Sequence, residues 1–427
     1  MDDFKKNSLV MIVLTTLASG INYLCQIIMG HVMSLESFGV MNSLFSVILV
    51  LSVPGTSVNM LTAKQIAERS EEEAAAASVS ASMCRLCGLI GIILGVIVLL
   101  TCGITSTVMD TSILMILLTG AVVIVSLFPY IISGILAGKR AFLAAGLFSL
   151  IVPSFKMGGV GAAALLPGEA EKQVAVLGFM LLGNLVAIVL CRRVLWGNGA
   201  TASRNTEPGG RRAVMDQVAL LVMLANFAYL LFANADILLV KLCLGSEPAG
   251  MYSAVMMFGR IIFYFTTALV AVLLPYVSLE KSTGGSPSRV FRNSLLMTLA
   301  VSALCMIPVN VFPEFFIKLL YGEKYLAAAV YMPLSCGVSV LVSLVNLELN
   351  YFIGMGREKK AFVDLNAALA VLAALVWWHH GSVQTVLAEI LCILAALFLY
   401  ELRTCLGGRT ASRGEKQHDA VKREDIG

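Results

Sequence analysis

Residues 216–281 read DQVALLVMLANFAYLLFANADILLVKLCLGSEPAGMYSAVMMFGRIIFYFTTALVAVLLPYVSLEK, and this stretch decides the fold. It holds two apolar segments, each reaching the roughly 20 residues that a membrane-spanning helix needs, joined by the short linker 243–250. Four charged residues interrupt it: Asp236, Lys241, Glu247 and Arg260. A cation inside lipid is costly unless it faces a partner, a cavity or a ligand, so the group that Arg260 faces bears directly on function.

The composition of the whole chain extends this interpretation. Apolar residues make up 59% of the 427 and charged residues only 13%, against about 45–50% and about 25% in soluble domains. We therefore predict an all-α, polytopic membrane protein. The basic residues form no nucleic-acid recognition motif, and no arrangement typical of a catalytic triad, a phosphate-binding loop or a metal site occurs. The sequence thus predicts no enzyme, no cofactor and no metal, and Cys84 and Cys87 are interpreted as helix-packing residues.

About twelve segments are long and apolar enough to span a bilayer. They are 8–30, 38–60, 81–103, 111–138, 141–166, 173–191, 216–240, 251–278, 293–319, 326–353, 361–380 and 382–402. The first exceeds the apolar core of a cleavable signal peptide and lacks a cleavage site, so we expect it to remain in the protein. With the N-terminus in the cytoplasm, 24 of the 30 Lys and Arg residues lie in cytoplasmic segments and 4 lie outside. This asymmetry predicts cytoplasmic N- and C-termini.

The sequence also indicates an internal duplication. The turn SLESFGVMNSLF (34–45) and the turn GSEPAGMYSAVM (245–256) both carry Glu-x-x-Gly, at an offset of 211 residues. GKRAF (138–142) and EKKAF (358–362) match at an offset of 220. Two similar offsets predict two pseudo-symmetric six-helix lobes around a central cavity, with substrate bound between them. The predicted domains are an N-terminal lobe (1–191), a flexible cytoplasmic linker (192–215), a C-terminal lobe (216–402) and a disordered tail (403–427).

Several stretches in order resemble one protein family. They are LASGINYLCQIIMGHVMSLESFGVMNSLFSV (17–47), ANADILLVKLCLGSEPAGMYSAVMMFGRIIFYF (233–265) with LLPYVS (273–278), and IKLLYGEKYLAAAVYMPL (317–334). They resemble the Wzx-like oligosaccharide-lipid flippases of the bacterial polysaccharide-transporter family. This family is part of the multidrug/oligosaccharidyl-lipid/polysaccharide exporter superfamily. The resemblance covers most of residues 8–355.

The resemblance implies a flippase of the bacterial plasma (inner) membrane. Such proteins move undecaprenyl-pyrophosphate-linked oligosaccharide outward by alternating access, for surface polysaccharide synthesis. The implied partners are the lipid-linked glycan, membrane lipids, and a glycan polymerase or glycosyltransferases, with the transporter itself a monomer. Two alternatives stay open: a lipid II flippase, and a proton- or sodium-coupled exporter of small molecules such as drugs. The second is weakened because the first helix carries Asn22 where antiporters of the superfamily often carry a carboxylate.

Two cations are candidates for binding the pyrophosphate. Arg260 lies ~15 Å along its helix from the outer turn at Gly250, near the bilayer centre. Its alternative role is an ion pair with a carboxylate such as Asp236. Lys156 lies beside Pro153, Gly158 and Gly159, which predict a kinked or broken helix lining a cavity. Its alternative is to extend outward to the membrane surface.

Amides and carboxylates complete the candidate set. Asn22 and Gln26 share one helix face, and Asn226 lies mid-segment, so these three are candidates for glycan contact or interhelical hydrogen bonds. Asn346 and Asn350 share another face, from which Glu348 points about 160° away. Either Asn350 and its neighbour or Glu348 therefore lines a cavity. The candidate ion-coupling residues are Glu348, which is alternatively half of a buried pair, and Asp236, which alternatively shapes a helix end.

Overall fold

The computed structural model describes residues 2–68, 73–191, 217–282, 285–379 and 381–406. These residues form helices and no strands, which confirms the predicted fold class. The helices are α1 (Asp2–Val32), α2 (Leu35–Leu51), α3 (Val53–Glu68), α4 (Glu73–Val108), α5 (Ile113–Gly138), α6 (Phe142–Ala163), α7 (Glu169–Leu190), α8 (Gln217–Ala233), α9 (Ala235–Leu244), α10 (Ser246–Ser282), α11 (Pro287–Val311), α12 (Pro313–Tyr321), the 3-10 helix Glu323–Tyr331, α13 (Met332–Gly354), α14 (Glu358–Trp378) and α15 (Val383–Leu406).

Ten of the described spans are long and apolar enough to cross a membrane, and the bent pair α8 and α9 raises the number to eleven. The remaining predicted segment, 251–278, coincides with α10. Several side chains of α10, among them those of residues 267–272, lie outside the described residues. The multi-span architecture is thus confirmed, and the count of twelve stays a prediction.

Prolines divide two of the predicted segments. Segment 38–60 consists of α2 and α3, which meet at Ser52, with Pro54 in the first turn of α3. Segment 293–319 consists of α11 and α12, and Pro313 begins the second of them. Proline has no N–H to donate and its fixed φ suits the first turn, so these positions begin a new helix. Sequence hydropathy does not register such breaks, because it reports how apolar a run is and not where the backbone changes direction.

The chain forms two compact units that do not follow the sequence halves strictly. The first comprises Met1–Ala219, Ile237–Ala254 and Lys318–Tyr325. The second comprises Leu220–Asp236, Val255–Ile317 and Leu326–Gly427. The predicted linker 192–215 lies outside the described residues, as does the predicted tail beyond residue 406. Residues 403–406 continue α15.

Small residues let helices of the first unit approach closely. A Cβ at Gly134 of α5 would lie 2.6 Å from the carbonyl oxygen of Asn59 on α3. One turn later, a Cβ at Gly138 would lie 2.8 Å from the carbonyl oxygen of Ala63. Both distances are shorter than any tolerable contact, so only glycine permits this backbone approach. Glycine at four-residue spacing is a common helix-packing device in membranes, where lipid offers no hydrophobic drive for association.

The predicted break near Lys156 is wrong. Helix α6 runs from Phe142 to Ala163 without interruption, with Pro153 inside it. The neighbouring glycine instead serves packing, because a Cβ at Gly159 would lie 2.8 Å from the Cβ of Phe179 on α7. Proline within a membrane helix is tolerated where neighbouring groups satisfy the freed backbone. The helix is therefore not broken here, while a kink at Pro153 and a cavity-lining role for Lys156 stay predictions.

Candidate functional site

Asn234 marks a break in the seventh predicted segment. Helix α8 ends at Ala233, α9 begins at Ala235, and the two axes differ by 53°. The side-chain Nδ2 of Asn234 donates to the carbonyl oxygen of Leu230 at 2.9 Å, so the amide satisfies one acceptor near the interruption. A helix that is interrupted within a membrane must satisfy its freed polar groups locally. Discontinuous helices of this kind recur at transporter binding sites.

Arg260 of α10 contacts this break directly. Its Nη2 donates to the side-chain Oδ1 of Asn234 at 2.8 Å and lies 3.6 Å from the sulfur of Met256. Its Nε is buried and makes no hydrogen bond to any described residue. Among the described residues, no carboxylate lies within ion-pair distance of this guanidinium. The guanidinium therefore contacts an amide, where the alternative prediction had a carboxylate such as that of Asp236.

Close packing against α13 positions this part of α10. A Cβ at Gly259 would lie 2.0 Å from the hydroxyl oxygen of Ser339. Two turns further on, the hydroxyl of Thr266 donates to the hydroxyl of Ser343 at 2.9 Å. Glycine and hydroxyl side chains at an interface allow backbones to approach and add interhelical hydrogen bonds. This contact fixes the helix on which Arg260 is carried.

Two other candidates lie on the helices that meet at the break. Asn226 of α8 is half-buried and its Nδ2 donates to the carbonyl oxygen of Val222 at 2.8 Å. Asp236 is buried in the first turn of α9. A carboxylate in the first turn of a helix is stabilised by the helix dipole, which agrees with a role in shaping the helix start. Its role as an ion-coupling residue stays a prediction.

Lys156 is enclosed within the first unit. Only 7% of the residue is exposed, and its Nζ lies 3.9 Å from the ring centroid of Phe45 on α2. An ammonium over an aromatic face is attracted by the ring quadrupole. The side chain therefore does not extend outward to the membrane surface.

Two buried polar atoms of α1 make no hydrogen bond to any described residue. Gln26 is buried, and its Oε1 makes no hydrogen bond to any described residue. The hydroxyl of the adjacent Tyr23 is likewise buried without a described partner. Asn22, one turn before Gln26, donates to the carbonyl oxygen of Ala18 at 3.3 Å. Buried polar groups without partners are uncommon and mark places where a ligand or water can bind.

Glu348 of α13 lies beside a second buried carboxyl group. The residue is fully buried, and the carboxyl of Glu401 on α15 faces it. Lys360 of α14 lies near both, Asp364 of α14 lies near Glu401, and these two residues form an ion pair with each other. Glu348 is thus half of a buried pair whose other half is an acid. On the opposite face of α13, Asn350 is half-buried and donates to the side-chain Oδ1 of Asn346 at 3.0 Å.

Two of these partners, Asn234 and Glu401, were not predicted from the sequence. Asn234 lies 26 residues before Arg260, so only the bend of the segment brings the two side chains together. Glu401 lay near the end of the last predicted segment, where a carboxylate within an apolar run was the available signal. Over the described ranges, no group of three His, Cys, Asp or Glu side chains is placed to hold a metal ion.

Comparison with known proteins agrees with this architecture. Residues 180–330 match the model of a family described as "Polysaccharide biosynthesis protein". No curated protein matches the chain in direct sequence comparison. Among solved structures, an inward-facing multidrug resistance MATE family transporter of the MOP superfamily superimposes with a TM-score of 0.70 at 13% identity. The match covers 94% of this chain and 99% of that one.

Two further structures are similar. The lipid II flippase MurJ, in an inward closed conformation, gives a TM-score of 0.68 at 11% identity and covers 93% of this chain and 87% of its own. A MOP superfamily transporter from Pyrococcus furiosus gives 0.59 at 14% identity, covering 94% and 95%. The chain therefore has the fold of the MOP superfamily of membrane transporters and flippases. The match of residues 180–330 to the polysaccharide-biosynthesis family confirms the resemblance found in the sequence.

Proposed function

We propose that the protein is a transporter of the bacterial plasma membrane that moves undecaprenyl-pyrophosphate-linked oligosaccharide outward by alternating access. The observation that carries the proposal is the environment of Arg260. Its guanidinium lies on α10, which the sequence predicts to span the membrane, and hydrogen-bonds an amide, while no described carboxylate lies near enough to neutralise its charge. An intramembrane cation of this kind is costly to keep unless it serves a ligand.

A pyrophosphate fits the chemistry that Arg260 offers. Guanidinium carries five N–H donors in a planar fork that matches phosphate oxygens. The bond to Asn234 uses one donor, and the buried Nε has no described partner. Donors therefore remain for an anionic head group. The adjacent helix break leaves this region free to rearrange as the substrate passes.

The first unit offers a second polar region. Lys156 supplies a positive charge, and the unpaired Oε1 of Gln26 with the amide of Asn22 supplies hydrogen-bonding groups suited to sugar hydroxyls. Asn226 and Asn350 of the second unit are further candidates for glycan contact. The family description favours a lipid-linked glycan over other cargo. Its partners would then be membrane lipids and the enzymes that build or polymerise the glycan.

The test is transport with and without Arg260. Cells carrying Arg260→Ala in place of the native chain should lose export of the surface glycan while keeping normal protein levels. Arg292→Ala removes a guanidinium from an exposed position on α11 and should leave export unchanged. Purified protein in vesicles should likewise move a fluorescent lipid-linked oligosaccharide, and Arg260→Ala should not. Undiminished export by Arg260→Ala would rule out its proposed role.

A second candidate function is supported by the Glu348–Glu401 pair. Two facing carboxylates repel each other, and a bound proton or sodium ion relieves the repulsion. A cation-coupled exporter of small molecules would use such a pair. Drug-dependent release of protons or sodium from vesicles, without movement of lipid-linked oligosaccharide, would favour that function. Movement of lipid II by the same vesicles would instead identify the protein as a lipid II flippase.

A further inference from the structure

Two glycines from the duplicated turns meet each other in the first compact unit. A Cβ at Gly250 would lie 1.8 Å from the carbonyl oxygen of Leu35, and a Cβ at Gly39 would lie 2.3 Å from the carbonyl oxygen of Ser246. Each glycine is thus the only residue that its site admits, because the obstacle is backbone. The start of α2 and the start of α10 are in direct backbone contact here.

The contact is reciprocal. Gly39 and Gly250 are 211 residues apart, and so are Leu35 and Ser246. Gly39 therefore contacts Ser246, and Gly250 contacts Leu35, which is the residue of the first turn that corresponds to Ser246. Reciprocity of this kind is the mark of a two-fold interface, in which residue i contacts j and the equivalent j contacts i. The two duplicated turns, 34–45 and 245–256, thus pack against each other through such an interface.

Lysines from both sequence halves satisfy the end of α1. The Nζ of Lys172 donates to the carbonyl oxygen of Val32 at 2.9 Å, and the Nζ of Lys324 donates to that of Met33 at 2.9 Å. The last carbonyls of a helix have no partner within it, and the negative end of the dipole attracts cations. Lys172 belongs to α7, whereas Lys324 lies beyond α12.

The same segment adds an aromatic contact. The hydroxyl of Tyr325 donates to the carbonyl oxygen of Gly30 at 2.9 Å. The rings of Tyr321 and Tyr325 both lie about 6 Å from that of Phe38, with centroid distances of 6.0 and 5.9 Å. Residues 318–325 thus cover the turn between α1 and α2.

Two linked hydrogen bonds connect the turn 245–256 to the loop between α4 and α5. Lys241 is 2% exposed and its Nζ hydrogen-bonds the hydroxyl of Ser246. That hydroxyl donates to Oδ2 of Asp110 at 3.0 Å, and the carboxylate of Glu36 also faces Lys241. The ammonium is therefore compensated by acids of the first sequence half. If the turn 245–256 moved away from Asp110, Lys241 would lose a carboxylate that compensates its charge.

We infer that these contacts form a latch. It joins segments 237–254 and 318–325 to the first sequence half at the end that the basic loops predict to be extracellular. Transport by alternating access, on which this inference rests, requires that end to open. The glycine contact, the bonds of Lys324 and Tyr325 and the Ser246–Asp110 bond then break together, while the Lys172 bond within the first half is kept. The latch sets how readily the outer side opens.

The first experiment locks the latch. Asp110→Cys and Ser246→Cys introduce two thiols where the native side chains are within hydrogen-bonding reach, and a short bifunctional thiol reagent links them. Mass mapping of the linked peptides identifies this link among the ten native cysteines. Linking should abolish glycan export, with each single variant treated identically as control. Export that continues in fully linked protein overturns the latch.

The second experiment weakens the latch and needs no substrate. Gly250→Ala and Gly39→Ala each place a methyl group against the backbone of the other turn. Each should therefore favour the conformation in which the two turns are apart, and should slow linking of the 110–246 thiols in purified protein by at least about tenfold. Gly103→Ala, whose added Cβ meets nothing within 4 Å, is the matched control. Lys324→Met, a milder change, should slow linking by about threefold.

The two experiments separate the latch from the proposed function. If cells lacking the chain export surface glycan normally, the proposed function fails, and the linking rates then decide the latch alone. Equal linking rates in Gly250→Ala, Lys324→Met and Gly103→Ala overturn it. If the glycine and lysine variants fold poorly, Tyr325→Phe replaces them, since it removes only the hydroxyl that bonds the carbonyl of Gly30 and should also slow linking of the 110–246 thiols.

Discussion

The guanidinium of Arg260 and the amide of Asn234 are joined by a 2.8 Å hydrogen bond at the residue where a membrane segment bends by 53°. An arginine inside a membrane usually pairs with an acid or reaches water. Here the partner is neutral and also bonds the carbonyl oxygen of Leu230. The bond therefore orients the cation without cancelling its charge, which leaves it able to bind an anion.

Converting this amide to an acid should separate orientation from charge. Asn234→Asp places a carboxylate against Arg260 and should hold it in an ion pair, lowering glycan export by about tenfold or more. Asn234→Ala is the matched control, since both variants lose the bond to Leu230 but only one neutralises the cation. Export measured at equal protein level checks this. Equal export by the two variants would contradict a role for free charge at Arg260.

The contact between Lys156 and Phe45 predicts that substituting Phe45 affects mainly stability and substituting Lys156 affects mainly export. Phe45→Leu removes the aromatic face and should lower the free energy of unfolding by about 1 kcal/mol, with export largely kept. Lys156→Met removes the charge but keeps the stem, and should lower export more than stability. Thermal unfolding in detergent and vesicle transport are measured on both. A Lys156→Met protein that transports normally would assign the lysine to packing alone.

The buried acids of the second unit predict a non-additive pair of substitutions. At a pH where both carboxyls are ionised, Glu348→Gln relieves the repulsion from Glu401 and should raise the free energy of unfolding by about 1 kcal/mol. Glu401→Gln should do the same, and the double variant should gain little beyond either one, because the repulsion is already gone. Unfolding of all three in detergent checks the cycle. Additive effects would show that the two carboxyls do not interact.

Helix packing in the first unit gives a prediction about stability alone. Gly134→Ala forces a methyl group toward the backbone of Asn59 and should cost about 1–3 kcal/mol. Gly161→Ala, in the open face of α6, meets no atom within 4 Å and should be neutral or stabilising by up to about 1 kcal/mol. Unfolding midpoints compared under one detergent distinguish the two. Similar midpoints would mean that α3 and α5 can separate without cost.

The helices follow from the sequence, because a span needs about 20 apolar residues and these runs can be counted directly. The duplication of the turns at Glu36 and Glu247 is likewise predicted from the sequence, since it rests on residue identity, and it stays a prediction. Of the kinked or broken helix predicted near Lys156, the break does not occur, because membrane helices tolerate proline and the neighbouring Gly159 serves close packing against α7.

The partners of the candidate residues were decided only by tertiary structure. Helical periodicity places Arg260 and Glu348 on a face, but it does not say which residue of another helix meets that face. Asn234 reaches Arg260 because of a bend, and Glu401 reaches Glu348 because α13 and α15 pack together. Gly39 and Gly250 likewise meet because the two turns pack against each other, and their backbone contact is invisible to sequence hydropathy.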